Sequence, residues 1–244
     1  MEIHILLLIA AVAIVASYTQ SVTGFGFGIV AMVFLPYFLR YTEANVLSSM
    51  LSTVTSALVV ISMYRVVNWK NLIFPLLGSI FANYLAITFV KSAKNQILTL
   101  LLGIALFALS IYFFFFSNKI KIKPTWYAGL IAGTISGVMS GLFSIGGPPV
   151  VIYYIQSEKS TDKYLSTISA YFLLSGVFSI SMKAISGFVT TNVLFGFAIG
   201  LIGMLTGSFL GKRTRSKANP KMIKKAVYGV MAISGLINII TSLI

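Results

Sequence analysis

Six stretches of the chain are apolar for about the length a helix needs to cross a bilayer: Ala44 to Tyr64, Leu72 to Val90, Ile97 to Phe116, Tyr164 to Met182, Val193 to Leu210 and Ala226 to Ile244. Hydrocarbon about 30 Å thick takes roughly 20 residues of helix. Inside it only helices and closed barrels satisfy every backbone N–H and C=O. This feature narrows the fold to an all-α polytopic membrane protein. Composition agrees, with 58% of the 244 residues hydrophobic and only 9% charged, far from the balance of a soluble domain.

The formal charge of +14 comes from 18 Lys and Arg against 4 acids. In a soluble chain it would point to nucleic acid. Here the basic residues lie between the apolar stretches, in "NKIKIK", "EKSTDK" and "GKRTRSKANPKMIKK", as positive-inside topology signals do. Nucleic acid is therefore not an expected partner. Without cysteine the chain has no disulfide or thiol chemistry. Its start, Met-Glu-Ile-His, lacks the basic n-region of a secretory signal, so the first apolar segment is expected to belong to the mature protein. Enzymatic chemistry is poorly supplied: His4 is the lone histidine, and Glu2, Glu43, Glu158 and Asp162 all sit at segment ends. No metal cluster, triad or carboxylate pair can be assembled from them. The expectation is a non-enzyme without cofactor or metal. Glu43 and Asp162 each follow a threonine and are expected to cap equivalent helix starts.

Two further apolar segments, Ile3 to Leu39 and Trp126 to Gln156, are interrupted by "SVTGFGFG" and "SGLFSIGGPP". Sliding the sequence by 119 positions places Gly28 on Gly147, Thr42 on Thr161, Glu43 on Asp162, Ser56 on Ser175 and "ISM" at Ile61 on "ISM" at Ile180. The chain thus reads as two repeats, residues 1–117 and 126–244, joined by a basic cytoplasmic linker, 118–125. If each interrupted segment crosses once, twelve basic residues share one side against six. If each folds back as a hairpin, the split is fourteen against four, with Arg40, Lys91, Lys94 and Lys183 outside. The second obeys the positive-inside rule better. It also inverts the halves, each an interrupted hairpin plus three transmembrane helices, as in many secondary transporters.

A turn inside hydrocarbon frees backbone groups that lipid cannot satisfy, so protein or water must wrap it. Gly24, Gly26 and Gly28 permit the turn, with Ser21 and Thr23 expected to cap a helix starting near Phe25; in the second motif Ser140 and Ser144 are the hydroxyls, Gly146 and Gly147 the flexible pair, and Pro148 and Pro149 fit a first helical turn. Each motif is expected to start a half-helix at membrane depth, and two such starts facing each other would hold a small anion on backbone N–H groups. Arg65 and Lys183, which follow the repeated "ISM", are candidate charges at the mouths of the pathway. Gln20, Asn83 and Gln156, with Tyr18, Tyr153 and Tyr171, are candidate uncharged donors along it. Gly196, Gly200, Gly203, Gly207 and Gly211 fit close helix packing instead.

The motifs "SVTGFGFGIVAMVFLPYFL" and "GTISGVMSGLFSIGGPPVVIYY", one opening each half, resemble the duplicated glycine-rich signatures of the TauE/SafE family of membrane permeases and sulfite exporters. The resemblance covers essentially the whole chain; the second motif is the more specific, and "GFGFG" departs from a more compact glycine cluster. It implies transport of small sulfur-containing anions, sulfite or organosulfonates, by a multi-pass protein of the cell membrane. Expected partners are a small anionic substrate and membrane lipid, with a homodimer as one assembly. The reading from a different class is a non-transporting scaffold or accessory subunit whose glycines serve only packing.

Overall fold

The computed structural model describes residues 2–23, 25–115, 122–214 and 220–243. Gly24 and the first half of the basic linker, residues 118–121, lie outside them. All regular elements among the described residues are helical: α1 (Ile3–Thr23), α2 (Phe27–Phe34), α3 (Tyr41–Met63), α4 (Ile73–Ser92), α5 (Asn95–Phe115), α6 (Trp126–Phe143), α7 (Gly147–Ser157), α8 (Thr161–Ile185), α9 (Thr191–Thr214) and α10 (Pro220–Leu243), with 3-10 turns at Leu35–Tyr37, Tyr64–Val66 and Trp69–Leu72. The six expected spans are α3, α4, α5, α8, α9 and α10. The long arms of the interrupted segments, α1 and α6, also qualify, giving eight helices among the described residues long and apolar enough to cross a membrane. Large apolar side chains such as Leu7, Phe81, Phe115 and Phe209 face outward. In water they would form an untenable patch; against lipid they are the solvent-facing surface.

Helix pairing is set by small residues. Along α9 a Cβ on Gly203 would strike the backbone of Ala10, one on Gly207 that of Ile14, and one on Gly211 the Ser21 side chain, so α1 and α9 lie backbone to backbone and run in the same direction. Gly133, Gly137 and Gly141 of α6 meet Pro75, Ser79 and Asn83 of α4 in the same sense. The packing reading holds for Gly200, Gly203, Gly207 and Gly211 of α9, and α6 carries a second stripe of the same kind. Two other pairs run in opposite directions. In α5 and α10, Gly103 meets Gly235 and Gln96 Nε2 donates to the Ser242 carbonyl at 2.9 Å. In α3 and α8, Ser49 meets Lys183 while Thr53 meets Gly176.

These directions sort the helix ends. Thr190 Oγ1 donates to Glu43 at 3.1 Å, joining the starts of α3 and α9. This Arg40 end also holds the start of α1, the α4–α5 turn with Lys91 and Lys94, and the end of α10. The opposite, Lys70 end holds Arg65, Lys123, Lys159, Lys163, Lys212, Arg213 and Lys225. Each interrupted segment folds back on itself. α2 returns to the Arg40 end to join α3, and α7 returns to the Lys70 end, where Asn71 Nδ2 donates to Ser157 Oγ at 2.8 Å and to Glu158 at 2.6 Å.

The hairpin arms are unequal: α1 and α6 have 21 and 18 residues, α2 and α7 only 8 and 11, and the glycine faces give both long arms a close partner. Two expectations change. Lys183 is not a boundary charge; it is 1% exposed. Glu43 and Asp162 sit in first turns, where a negative charge complements the helix dipole, but neither caps: α8 is capped by Ser160, which accepts from Lys163 N, and α3 has no side-chain cap.

Candidate functional site

The two hairpin tips touch. Gly28, in the first turn of α2, lies so close to the Ser144 carbonyl at the α6–α7 turn that a Cβ could not fit between them. The α1–α2 turn needs glycine at Gly26, whose φ of 108° lies in the left-handed region. In the second turn that conformation falls on Ser144, the one non-glycine residue with positive φ among those described, at 57°. Holding an L-residue there costs about 1–2 kcal/mol. Its side chain offsets the cost: Ser144 Oγ donates to Asn45 O at 2.8 Å, lies 2.6 Å from Ser49 Oγ and accepts from Lys183 Nζ at 3.1 Å. Tyr41 and Asn45 also donate to Leu142 O, at 2.5 and 2.6 Å, so the start of α3 clamps the end of α6.

The freed backbone is largely satisfied by neighbouring hydroxyls, as a turn within apolar surroundings requires. Ser136 Oγ donates to the Gly146 carbonyl and in turn accepts from Tyr171 Oη at 2.9 Å. Thr23 Oγ1 lies 2.6 Å from the Phe25 carbonyl and 2.8 Å from that of Thr19.

Between the tips is a cavity of about 60 Å³, enough for a few waters or one small oxyanion. Gln20 of α1, Gly26 and Gly28 line one side, and Ser140, Ser144, Gly146 and Gly147 the other. The walls between them are a hydroxyl stripe on α3, Ser49, Ser52, Thr53 and Ser56, and a mixed face on α8, Phe172, Ser175, Gly176 and Ser179. Both are spaced i, i+3, i+4, i+7, which puts each on one helical face. Ser179 Oγ is buried without a partner and Gln20 Oε1 likewise. First-turn N–H groups have no partner within their own helix; α2 retains them at Phe27, Gly28 and Ile29, whereas Pro148 and Pro149 remove two from α7.

Of the expected site residues, the cavity gathers Gln20, Gly26, Gly28, Ser140, Ser144, Gly146 and Gly147. Ser21 and Thr23 do not cap α2. They close the last turn of α1, with Ser21 against Gly211 of α9, and neither α2 nor α7 has a side-chain cap. Ser140 and Ser144 end α6 and do not start α7. Pro148 occupies the tolerant first turn, as expected, but lies outside the cavity wall. Arg65 is exposed, its Nε donating to Tyr64 Oη at 2.8 Å, and does not pair in space with Lys183. Asn83 is buried against Gly141 in the α4–α6 contact. Gln156 accepts from Ile122 N at 2.6 Å, and Tyr153 donates to Asn71 at 2.8 Å, both at the Lys70 end. Tyr18 accepts from Thr214 at 3.2 Å. Sequence reasoning missed Ser49, Ser52, Thr53, Ser136 and Ser179; the hydroxyl spacing along α3 was the readable signal.

The cavity is thus rich in hydroxyls, has one buried ammonium behind its wall and contains no carboxylate among the described residues. That inventory suits a small anion. A family model described as sulfite exporter TauE/SafE matches residues 9–237. The chain is 24% identical over 227 residues to the "Probable sulfite/organosulfonate exporter TauE" of Cupriavidus necator, covering 88% of this chain and 86% of that protein. It is 28% identical over 188 residues to a "Probable membrane transporter protein" of Methanocaldococcus jannaschii, covering 70% and 68%. No solved structure gives a significant match.

Proposed function

Since the chain belongs to the TauE/SafE sulfite exporter family, an integral multi-pass transporter family rather than an enzyme family, we propose that it moves a small sulfur-containing anion of the sulfite or organosulfonate class across the cell membrane through the cavity between its two hairpin tips. The observation that carries the reading is the cavity wall: hydroxyls from α3, α6 and α8 line a space the size of one small oxyanion beside the first turn of α2, where a scaffold would need only apolar packing. Hydrogen bonds from such donors to a charged partner are each worth about 1.5–3 kcal/mol. In proteoliposomes the wild type carries sulfite above the rate of empty vesicles. Ser140→Ala with Ser175→Ala raises the half-saturating concentration about a hundredfold or more, as loss of two charge-assisted bonds requires. Wild-type vesicles that leak sulfite and organosulfonates no faster than protein-free ones would leave the scaffold reading in place.

The proposal includes an inverted repeat about an axis in the membrane plane, with 1–117 and 126–244 as its halves and the Lys70 end cytoplasmic. Support comes from exchange of equivalent helices: α1 packs on α9 and α4 on α6, while α3 with α8 and α5 with α10 pair in opposite directions. Equivalent residues Ser56 and Ser175, and Gly28 and Gly147, face the same cavity. An axis normal to the membrane would make the like pairs run in the same direction. Single cysteines at Asn95 and Gly187 are expected to react with an impermeant thiol reagent outside intact cells, and those at Lys70 and Lys159 only after permeabilisation. Labelling of Lys159→Cys from outside overturns the arrangement, because a once-crossing segment would place it opposite Lys70.

A further inference from the structure

Lys183 lies one helical turn beyond the cavity-lining Ser179 on α8 and is 1% exposed. Its ammonium donates to Ser49 Oγ at 2.6 Å and Ser144 Oγ at 3.1 Å, both part of the cavity wall. Among the described residues no carboxylate comes within 4.0 Å of it; the nearest acid along α3, Glu43, is bound to Thr190 at the Arg40 end. A charge in a membrane-spanning helix is expensive unless something compensates it, and two serine oxygens are neutral.

The cluster is also particular to one hairpin. The 119-residue shift puts Tyr64 where Lys183 stands, Phe25 for Ser144 and Ile168 for Ser49, so the other hairpin is held without any of the three.

We propose that Lys183 is the counter-charge of the transported anion, a positioning residue that acts through Ser49 and Ser144. The ammonium fixes both serine oxygens as acceptors. Each hydroxyl is then free to turn its O–H into the cavity, exchanging its Asn45 or serine acceptor for an oxygen of the anion. The charge sits beside one hairpin tip only, so the site is polarised toward the Arg40 end. This rests on the anion site proposed above.

The test is thermal melting of the purified full-length protein in sodium sulfite, with sodium chloride at equal ionic strength as control. A ligand that binds the folded state raises its melting temperature. Lys183→Met is expected to melt at or above the wild type without sulfite, since replacing an uncompensated buried charge by an apolar side chain of similar volume is neutral or stabilising. It should lose the sulfite shift, a weakening of about tenfold or more for a charge pair removed from a low-dielectric site. A lysine that merely braces the tip gives the opposite pattern, lower melting with the sulfite shift intact, and that overturns the assignment. Should Lys183→Met yield no folded protein, Lys183→Arg and Lys183→Gln carry the test. A shift kept by arginine and lost by glutamine supports the counter-charge; a shift kept by glutamine, or lost by both, overturns it. A wild type unmoved by sulfite and by organosulfonates overturns the anion site itself, whereas a wild-type response shared by Lys183→Gln overturns only the role of Lys183.

Discussion

Gly28→Val should reduce transport to the level of empty vesicles, and Gly28→Ala should already lower the melting temperature. The obstacle is the Ser144 carbonyl, a backbone group held by its own left-handed turn and by Asn45, Ser49 and Lys183, so it cannot swing aside as a flexible side chain would. Overpacking a core by one methylene costs on the order of 1–3 kcal/mol, and here relief requires that the two hairpin tips part. The equivalent residue gives the contrast. The nearest atoms to a Cβ on Gly147 would be in the Phe25 and Phe172 side chains, at 3.6 and 3.8 Å, which is ordinary contact. Gly147→Ala should therefore give folded protein in normal yield. A Gly28→Ala protein as heat-stable as Gly147→Ala would mean that the tips are not in contact.

Gly207→Leu should give little or no folded protein in detergent extracts. A side chain there has to displace the Ile14 backbone and the Ser17 hydroxyl. Helix association in lipid has no hydrophobic drive to absorb the loss, because close van der Waals contact is the attraction itself. Gly203→Leu meets the Ala10 backbone and should behave alike. Gly229→Leu is the control, since a Cβ there has nothing within 4 Å. Equal size-exclusion profiles for Gly207→Leu and Gly229→Leu would mean that α1 and α9 do not share this interface.

The membrane class, the six plain spans, the two broken segments and the packing role of the α9 glycines were all legible, because length, hydropathy and small-residue spacing are local properties of the chain. What escaped was set by distant contacts. Lys183 follows an apolar stretch, where a lysine ordinarily marks a boundary. It turns inward because Ser49 and Ser144, 134 and 39 residues away, accept its hydrogen bonds. Ser21 and Thr23 looked like caps for the helix after them, yet they finish the one before; hydroxyls beside glycines do not reveal on which side of the break the helix runs on. Gly28 and Gly147 are equivalent in sequence and unequal in space, since only the first abuts backbone.

The exchanged pairing of α1 with α9 bears on how the protein comes into being. Ribosomes add about 5–20 residues per second, so roughly 10 to 40 s pass between the completion of Thr23 and the appearance of α9. Throughout that interval Ala10, Ile14 and Ser17 face lipid or a transient neighbour, and the nascent chain holds a finished first helix that has nowhere to dock. An uncharged face of alanine and serine can wait in a bilayer at little cost. Lys183 could not, and its helix is made later than both serines that receive it, so the lysine enters the membrane with its ligands already in place.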